Sequence, residues 1–355
     1  FMTLIEKLEN NERLSLEDGI ALYDLDLFTL GKYANQRRRA LHGDKVFFNV
    51  NRHINPTNIC KDICKFCAFS ANRKNPNPYT MTHEEILAIL DNSVNNNHIT
   101  EVHVVSAHNP ATGLEWYLEI FSKIKKRFPH LHVKALTAAE INFLATEYKL
   151  SFDEVIDKMI EYGVDSMPGG GAEIFDEKVR EYVCKGKVSS QEWLHIHELW
   201  HQRGRESNAT MLFGHVEKRE HRIDHMLRLR DLQDRTHGFN AFIPLVYQRD
   251  NNYLHVEDFL SSTEILKTFA ISRLMLDNIN HIKAYWATST INLALVAMEY
   301  GADDLDGTIE AEAIQSAAGA KSAKGLGLQS ILELIETSGF KAVERDSLYN
   351  ELKTY

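Results

Sequence analysis

The stretch CKDICKFC, residues 60–67, holds three of the four cysteines of this 355-residue chain, and the fourth, Cys184, lies far from it. Thiols packed this closely, in a chain that otherwise avoids cysteine, are typical of ligands to one soft metal centre. A closed structural site uses four protein ligands, whereas a reactive site keeps one position open. Cys60, Cys64 and Cys67 therefore predict an open metal site with three thiolate ligands.

An alternative is a structural zinc site that completes its ligand set with Cys184 or a histidine. The spacing Cys-x3-Cys-x2-Cys is not one of the usual zinc-finger spacings, and structural zinc seldom leaves a position open. No helix cap or basic cluster clearly marks Cys184 as a reactive thiol, so we interpret it as a lone structural cysteine.

Composition limits the class of protein. The formal net charge of −10 argues against a nucleic-acid partner, because binding phosphates needs a concentrated positive field. No apolar run approaches the roughly 20 residues that a membrane helix requires. The clustered cysteines argue against a secreted disulfide framework and for a reducing compartment. The sequence therefore predicts a cytoplasmic enzyme that acts on small molecules, without a nucleic-acid or membrane partner.

From residue 44 onward, short apolar runs alternate with segments of helical periodicity. The predicted strands are 46–55, 101–106, 131–137, 164–168, 206–213, 239–246, 281–287 and 303–306. Strands that alternate with helices predict parallel pairing, and eight such units predict a closed barrel. The predicted fold class is therefore α/β, a TIM-type (β/α)8 barrel.

The predicted organisation is one barrel with an extension at each end. Residues 1–43 form N-terminal helices, residues 44–307 form the barrel, and residues 308–355 form an extension of helices and a short strand packed on the outside. In such barrels, the loops at the carboxyl ends of the strands form the catalytic face. The cysteine stretch directly follows the first strand, so we expect it at the mouth of the barrel.

The cysteine spacing, with the aromatic Phe66 directly before the last cysteine, resembles the signature of the radical S-adenosylmethionine (SAM) enzymes. The resemblance implies a [4Fe–4S] cluster held by Cys60, Cys64 and Cys67, with the fourth iron left for SAM. Such barrels typically bind the methionine amine of SAM at a glycine-rich turn after the second strand. Here Ser106-Ala107 stands in place of two glycines, and these small residues preserve room for the cofactor.

Three further polar side chains are candidates for contact with the cofactor. Glu140 begins the segment after strand three, and Asn208 and Thr210 point inward from strand five if Ala209 and Met211 point outward. Polar side chains in a barrel lumen need partners, and a bound polar ligand would supply them. An internal hydrogen-bond network is the alternative.

Several segments extend the resemblance over nearly the whole chain. They are residues 64–69 (CKFCAF), 167–173 (MPGGGAE), 207–215 (SNATMLFGH) and 238–245 (GFNAFIPL). Together they resemble the aminofutalosine synthases of the futalosine route to menaquinone. The dehypoxanthine futalosine cyclase of the same pathway is the alternative, and Asn208 with Gly307-Thr308-Ile309 favours the synthase. The resemblance implies that the 5′-deoxyadenosyl radical from SAM adds to 3-[(1-carboxyvinyl)oxy]benzoate, with rearrangement and loss of a carboxyl group.

An aromatic dicarboxylate substrate predicts at least one buried cation or histidine at the mouth of the barrel. His108, His215 and Arg249 follow predicted strands and are the candidates for binding this substrate. A flavodoxin- or ferredoxin-like protein is the electron donor that the resemblance implies.

The segment HELWH, residues 197–201, is a literal H-E-x-x-H, the pattern of zinc proteases. It lies on a predicted outer helix, away from the strand ends where barrel enzymes place their chemistry. We therefore interpret it as a surface helix without a metal.

Overall fold

The computed structural model describes residues 1–311 and 313–355, and it has the predicted barrel of parallel strands. The strands are β1 (Lys45–Asn49), β2 (Asn51–Ile54), β3 (Glu101–Val104), β4 (His132–Ala135), β5 (Ser207–Phe213), β6 (Phe239–Val246), β7 (His281–Ile282), β8 (Asp304–Gly307), β9 (Lys341–Arg345) and β10 (Glu351–Thr354). The helices are α1 (Leu4–Glu9), α2 (Leu16–Leu22), α3 (Leu27–His42), α4 (His83–Asn97), α5 (Leu114–Arg127), α6 (Ala138–Tyr148), α7 (Phe152–Glu161), α8 (Glu177–Val183), α9 (Ser190–Gln202), α10 (Arg219–Thr236), α11 (Ser262–Met275), α12 (Trp286–Ser289), α13 (Ile291–Ala297), α14 (Ile314–Ala317) and α15 (Leu328–Thr337). No described helix is long and apolar enough to cross a membrane.

Parallel pairing runs around the whole barrel. It joins β2 to β3 and β4, joins β5 to β6 and β7, and joins β8 to β1. Between β4 and β5, the predicted strand 164–168 is reduced to two bridges, Lys134 to Ser166 and Met167 to Ser207. A bridge between Lys283 and Asp304 joins β7 to β8 and closes the ring. The predicted first strand, 46–55, is divided into β1 and β2, which pair with different neighbours.

The N-terminal end of β1 explains this division. There β9 pairs with β1 in parallel, over Lys45 to Phe48, and β10 pairs with β9 in antiparallel fashion. Beyond Val50, where the chain continues as β2, β3 takes the place of β9 as the pairing strand. The C-terminal extension therefore satisfies backbone groups of the first barrel strand that would otherwise stay unpaired.

Part of the segment 308–355, which the sequence analysis places on the outside of the barrel, contacts the loops that follow two barrel strands. The backbone N–H of Asp250, after β6, donates to the carbonyl of Ala318 at 2.9 Å. The hydroxyl of Ser322 donates to the carbonyl of Trp286, after β7, also at 2.9 Å. The extension thus crosses the exits of two strands, where the loops offer backbone partners. The domain bounds 1–43, 44–307 and 308–355 stay a prediction.

The prediction that the H-E-x-x-H segment lies on a surface helix is wrong about the exposure of its two histidines. His197 on α9 is fully buried and His201 is 6 % exposed. Each has a ring nitrogen 2.7 Å from the hydroxyl of Ser207, at the start of β5. Glu198 faces away and pairs with Arg235 of α10. The two histidines therefore pack α9 onto the barrel, and each places one ring nitrogen at the hydroxyl of Ser207.

Candidate active site

A cavity of about 280 Å³ lies inside the barrel and reaches the carboxyl ends of the strands. Nine of the twelve residues predicted for the site line it: Cys60, Cys64, Phe66, Cys67, Ser106, Ala107, His108, Asn208 and Thr210. The other three, Glu140, His215 and Arg249, do not. The fold therefore gathers the cysteine loop, the turn after β3 and the inner face of β5 around one volume.

The three clustered cysteines face this cavity, whereas Cys184 is 2 % exposed and lies outside it. The backbone N–H of His108 donates to Sγ of Cys60 at 3.4 Å, a type of contact that tunes thiolates bound to iron. Burial raises the pKa of the Cys60 and Cys64 thiols, so metal binding is what would hold them as thiolates. Three soft donors around one cavity fit a [4Fe–4S] cluster with an open iron.

His108 is anchored on two sides. Its Nδ1 lies 2.6 Å from a carboxylate oxygen of Asp62, inside the cysteine loop. Its ring stacks on Phe143 of α6 with a centroid distance of 5.0 Å. His108 therefore ties the cysteine loop to the turn after β3, and its side chain is already engaged by a protein partner.

Lys187 and Glu173 line the same cavity, although neither belongs to the predicted site residues. The Lys187 ammonium lies 3.2 Å from the Glu173 carboxylate and 5.4 Å from the ring centroid of Phe66. Burial alone would lower the pKa of Lys187, but Glu173 and Cys64 raise it above its ordinary value. A cation is therefore fixed beside the cysteine loop, where it offsets negative charge on thiolate ligands.

Glu140 does not line the cavity itself but contacts two residues that do, Ser106 and Thr137. It is 3 % exposed, and one carboxylate oxygen accepts the backbone N–H of Ser106 at 2.8 Å. The other oxygen accepts the backbone N–H of Thr137 at 2.7 Å, which completes the capping box that begins α6. Glu140 thus fixes the Ser106-Ala107 turn against α6, so we propose that it positions the cofactor-binding turn.

Replacing Glu140 with Gln should weaken SAM binding about ten-fold, because an amide nitrogen cannot accept one of the two backbone N–H groups. Equilibrium binding of SAM to the reconstituted protein measures this, with iron content unchanged. Glu154→Gln is the matched control, since Glu154 makes the same capping box with Ser151 at the exposed start of α7. Equal losses in both variants would contradict a role for Glu140 in the turn.

Asn208 and Thr210 line the cavity, as predicted, and also have protein partners. The Asn208 amide donates to Asn240 Oδ1 at 2.6 Å, and the Thr210 hydroxyl donates to the carbonyl of Gly169 at 2.6 Å. The internal network that was the alternative is therefore present. Gly169 permits it, because a Cβ there would lie 2.8 Å from the carbonyl oxygen of Asn208.

His215 and Arg249 lie away from this cavity. The Nε2 atom of His215 lies 2.9 Å from the carbonyl oxygen of Leu212, and its Nδ1 lies 3.6 Å from the Glu217 carboxylate. His215 lines a separate surface depression. The Arg249 guanidinium donates to the carbonyl of Val256 and lies over the ring of Phe259. The loop after β6 turns Arg249 outward, so neither side chain reaches a ligand in the cavity.

Two family matches divide the chain between them. Residues 54–229 match the Radical SAM superfamily, and residues 236–354 match the CofH/MqnC C-terminal region. The solved structure of methylornithine synthase has the same fold, with a TM-score of 0.77 at 17 % identity over 95 % of this chain and 96 % of that one. The chain belongs to the radical SAM superfamily, which confirms the predicted family and barrel and implies a [4Fe–4S] cluster with SAM as co-substrate.

Within this superfamily the chain is similar to aminodeoxyfutalosine synthases. It is 41 % identical over 357 residues to that of Thermus thermophilus, which covers 99 % of this chain and 96 % of the relative. It is 39 % identical over 364 residues to that of Streptomyces coelicolor, covering 99 % and 94 %. The cyclic dehypoxanthine futalosine synthase of Streptomyces coelicolor is 36 % identical over 354 residues, covering 98 % and 88 %.

Proposed function

We propose that this protein catalyses the aminodeoxyfutalosine synthase reaction of menaquinone biosynthesis. It transfers the 5′-deoxyadenosyl group of SAM to 3-[(1-carboxyvinyl)oxy]benzoate, with rearrangement and loss of a carboxyl group, to give aminofutalosine. The observation that carries the proposal is the 41 % identity to a synthase along 99 % of this chain. Two cyclic dehypoxanthine futalosine synthases are less similar, at 36 % and 33 %.

Cys60, Cys64 and Cys67 would hold the cluster, which would pass one electron to SAM and so break its C–S bond to give methionine and a 5′-deoxyadenosyl radical for addition to the vinyl carbon of the substrate. The protein holds both partners in one cavity and keeps water away from the radical. Ile243, Leu245 and Tyr247 give the cavity an apolar wall, and Ile314 of the C-terminal extension lines its mouth. The fold thus offers an apolar chamber between the cysteine loop and the strands.

The proposed reaction also implies partners. A flavodoxin- or ferredoxin-like protein would supply the electron that cleaves SAM. The cysteine thiols must stay reduced to bind iron, which suits the cytoplasm. Both statements are part of the proposal.

The test is anaerobic reconstitution with iron and sulfide, followed by incubation with SAM, a reductant and the enol-ether benzoate. Mass spectrometry should detect aminofutalosine and methionine in equal amounts. 5′-Deoxyadenosine without any nucleoside adduct would overturn the proposal.

A parallel reaction contains dehypoxanthine futalosine in place of the enol ether. Turnover of this nucleoside alone would assign the chain to the cyclase reaction. Failure to bind a cluster or to cleave SAM would instead favour the zinc-protein alternative.

A further inference from the structure

A group of ionisable side chains lies at the deep end of the cavity, below the turn that carries Ser106. This floor cluster consists of His53, Glu101, His103, Lys134, Lys283 and Asp306, and all six line the cavity. Its members lie within or directly beside barrel strands, whereas the cysteine loop lies beyond a strand end. Since a strand rises about 3.3 Å per residue, His103 lies roughly 10 Å deeper than Ser106.

Two buried ion pairs form the cationic part of the floor cluster. The Lys134 ammonium lies 3.2 Å from the Glu101 carboxylate, and the Lys283 ammonium donates to Asp306 at 2.7 Å. An ammonium group has three protons to donate. For each lysine, the structure gives one side-chain acceptor among the described residues. Both ammonium groups therefore keep protons for a further acceptor in the cavity.

Nearby cations lower the pKa values of both acids in the floor cluster, whereas burial lowers the pKa of Lys134 against the opposing effect of Glu101. Burial alone would raise the pKa of Asp306, but Lys283 and His53 lower it to about 2. Burial would likewise raise the pKa of Glu101, and Lys134 holds it well below its ordinary value. A ligand at the floor thus meets charged donors in a site of low dielectric constant, where such contacts are strong.

His103 supplies an independent sign of a missing ligand. Its Nδ1 is buried and has no hydrogen-bond partner among the described residues. Its ring lies against His53, with a centroid distance of 4.4 Å. Buried polar atoms almost always have partners, and leaving one without a partner is costly. An unpartnered nitrogen and two ammonium groups that line the same cavity indicate that the floor accommodates an acceptor, and a carboxylate is the acceptor that suits this donor set.

We infer that the floor cluster binds the benzoate carboxylate of the substrate, with Lys134 and His103 donating to it. This inference rests on the proposed function, in which the vinyl carbon must reach the adenosyl group at the mouth. The ring end of the substrate then points down the barrel, which brings its carboxylate to the floor. The benzoate carboxylate is therefore anchored away from the vinyl carbon at which the C–C bond forms.

The test compares two substrates in two variants. The second substrate, 2-phenoxyacrylate, lacks only the benzoate carboxylate. Wild-type protein should prefer the natural substrate in kcat/KM by about 10- to 100-fold, the range expected for hydrogen bonds to a charged group. Lys134→Met should lower kcat/KM for the natural substrate by that factor. The same variant should leave kcat/KM for 2-phenoxyacrylate within about three-fold of wild type, because this substrate has no benzoate carboxylate for Lys134 to bind. Lys125→Met is the matched control, because Lys125 also pairs with an acid, Asp165, but lies outside the cavity.

Lys134→Met leaves the buried Glu101 carboxylate without its cation and can impair folding. The double variant Lys134→Met/Glu101→Gln removes both charges and should show the same loss of preference. An equal loss on both substrates, or an unchanged preference in a folded variant, would overturn the inference. Wild-type protein that cleaves SAM but converts neither substrate would overturn the proposed function instead.

Discussion

Replacing Cys60, Cys64 or Cys67 singly with alanine should abolish cluster binding and SAM cleavage. These three thiols line one cavity, and the remaining two cannot hold a cluster that needs three protein ligands. We expect SAM cleavage to fall by more than about 100-fold, because removing even a hydrogen-bond partner of a metal ligand costs 10- to 100-fold. Iron and sulfide analysis with absorbance spectra measures the cluster, and methionine release measures activity.

Cys184→Ala is the matched control for these variants. Cys184 is buried outside the cavity, at the C-terminal end of α8, so the variant should keep its iron and its activity. Loss of the cluster in this variant would revive the alternative of a four-cysteine site. Full activity in any of the three loop variants would contradict the assignment of that cysteine as a ligand.

Acidification should destabilise the folded protein well above the pH at which carboxylates titrate. Burial lowers the pKa of His201 and His225 to about 3 and that of His197 well below its ordinary value. The unfolded chain binds protons at these histidines below about pH 6.5, so the free energy of unfolding falls as pH falls from 6.5 towards 3. Between pH 6.5 and 4.5, each histidine should remove roughly 2 to 3 kcal/mol.

The hydrogen bonds of His225 give the physical reason. Its Nδ1 accepts the backbone N–H of Phe175 at 3.1 Å, and its Nε2 donates to the carbonyl of Thr210 at 2.8 Å. If Nδ1 were protonated, its N–H would face the backbone N–H of Phe175, so two donors would meet without an acceptor in a fully buried site. Chemical denaturation at several pH values measures the effect, with the cluster monitored separately by absorbance.

His225→Gln should reduce the slope of unfolding free energy against pH by about 1.4 kcal/mol per unit between pH 6.5 and 3. His130→Gln, which changes an exposed histidine after α5, should leave the slope as it is. The explanation fails if both variants keep the wild-type slope.

Much of the fold could be predicted because its signals are local. Alternation of apolar strands and helical segments predicted the barrel, and strands form within seven of the eight predicted ranges. The fourth strand is reduced to bridges at Ser166 and Met167, since Gly169-Gly170-Gly171 follow and the backbone turns sharply there. The path of residues 313–322 across the mouth was missed because backbone contacts between loops leave no periodic pattern.

The substrate-binding residues were harder to predict. His215 and Arg249 were chosen for following strands, but loop conformation turns both away from the cavity. His103 and Lys134 carried a signal that was overlooked, an ionisable residue with an apolar residue on each side within a strand. Period-two alternation shows which residues point inward, but not which inward residues of different strands lie at the same height.

The sequence by itself determined the cofactor chemistry, because the spacing of Cys60, Cys64 and Cys67 lies within one short loop and needs no distant partner. Only the tertiary structure decided what faces that loop. Lys134 and Lys283 are far apart in sequence and meet in one floor cluster because closure of the barrel sets the stagger between strands. Stagger depends on the pairing of all the strands together, and no local stretch of the chain encodes it.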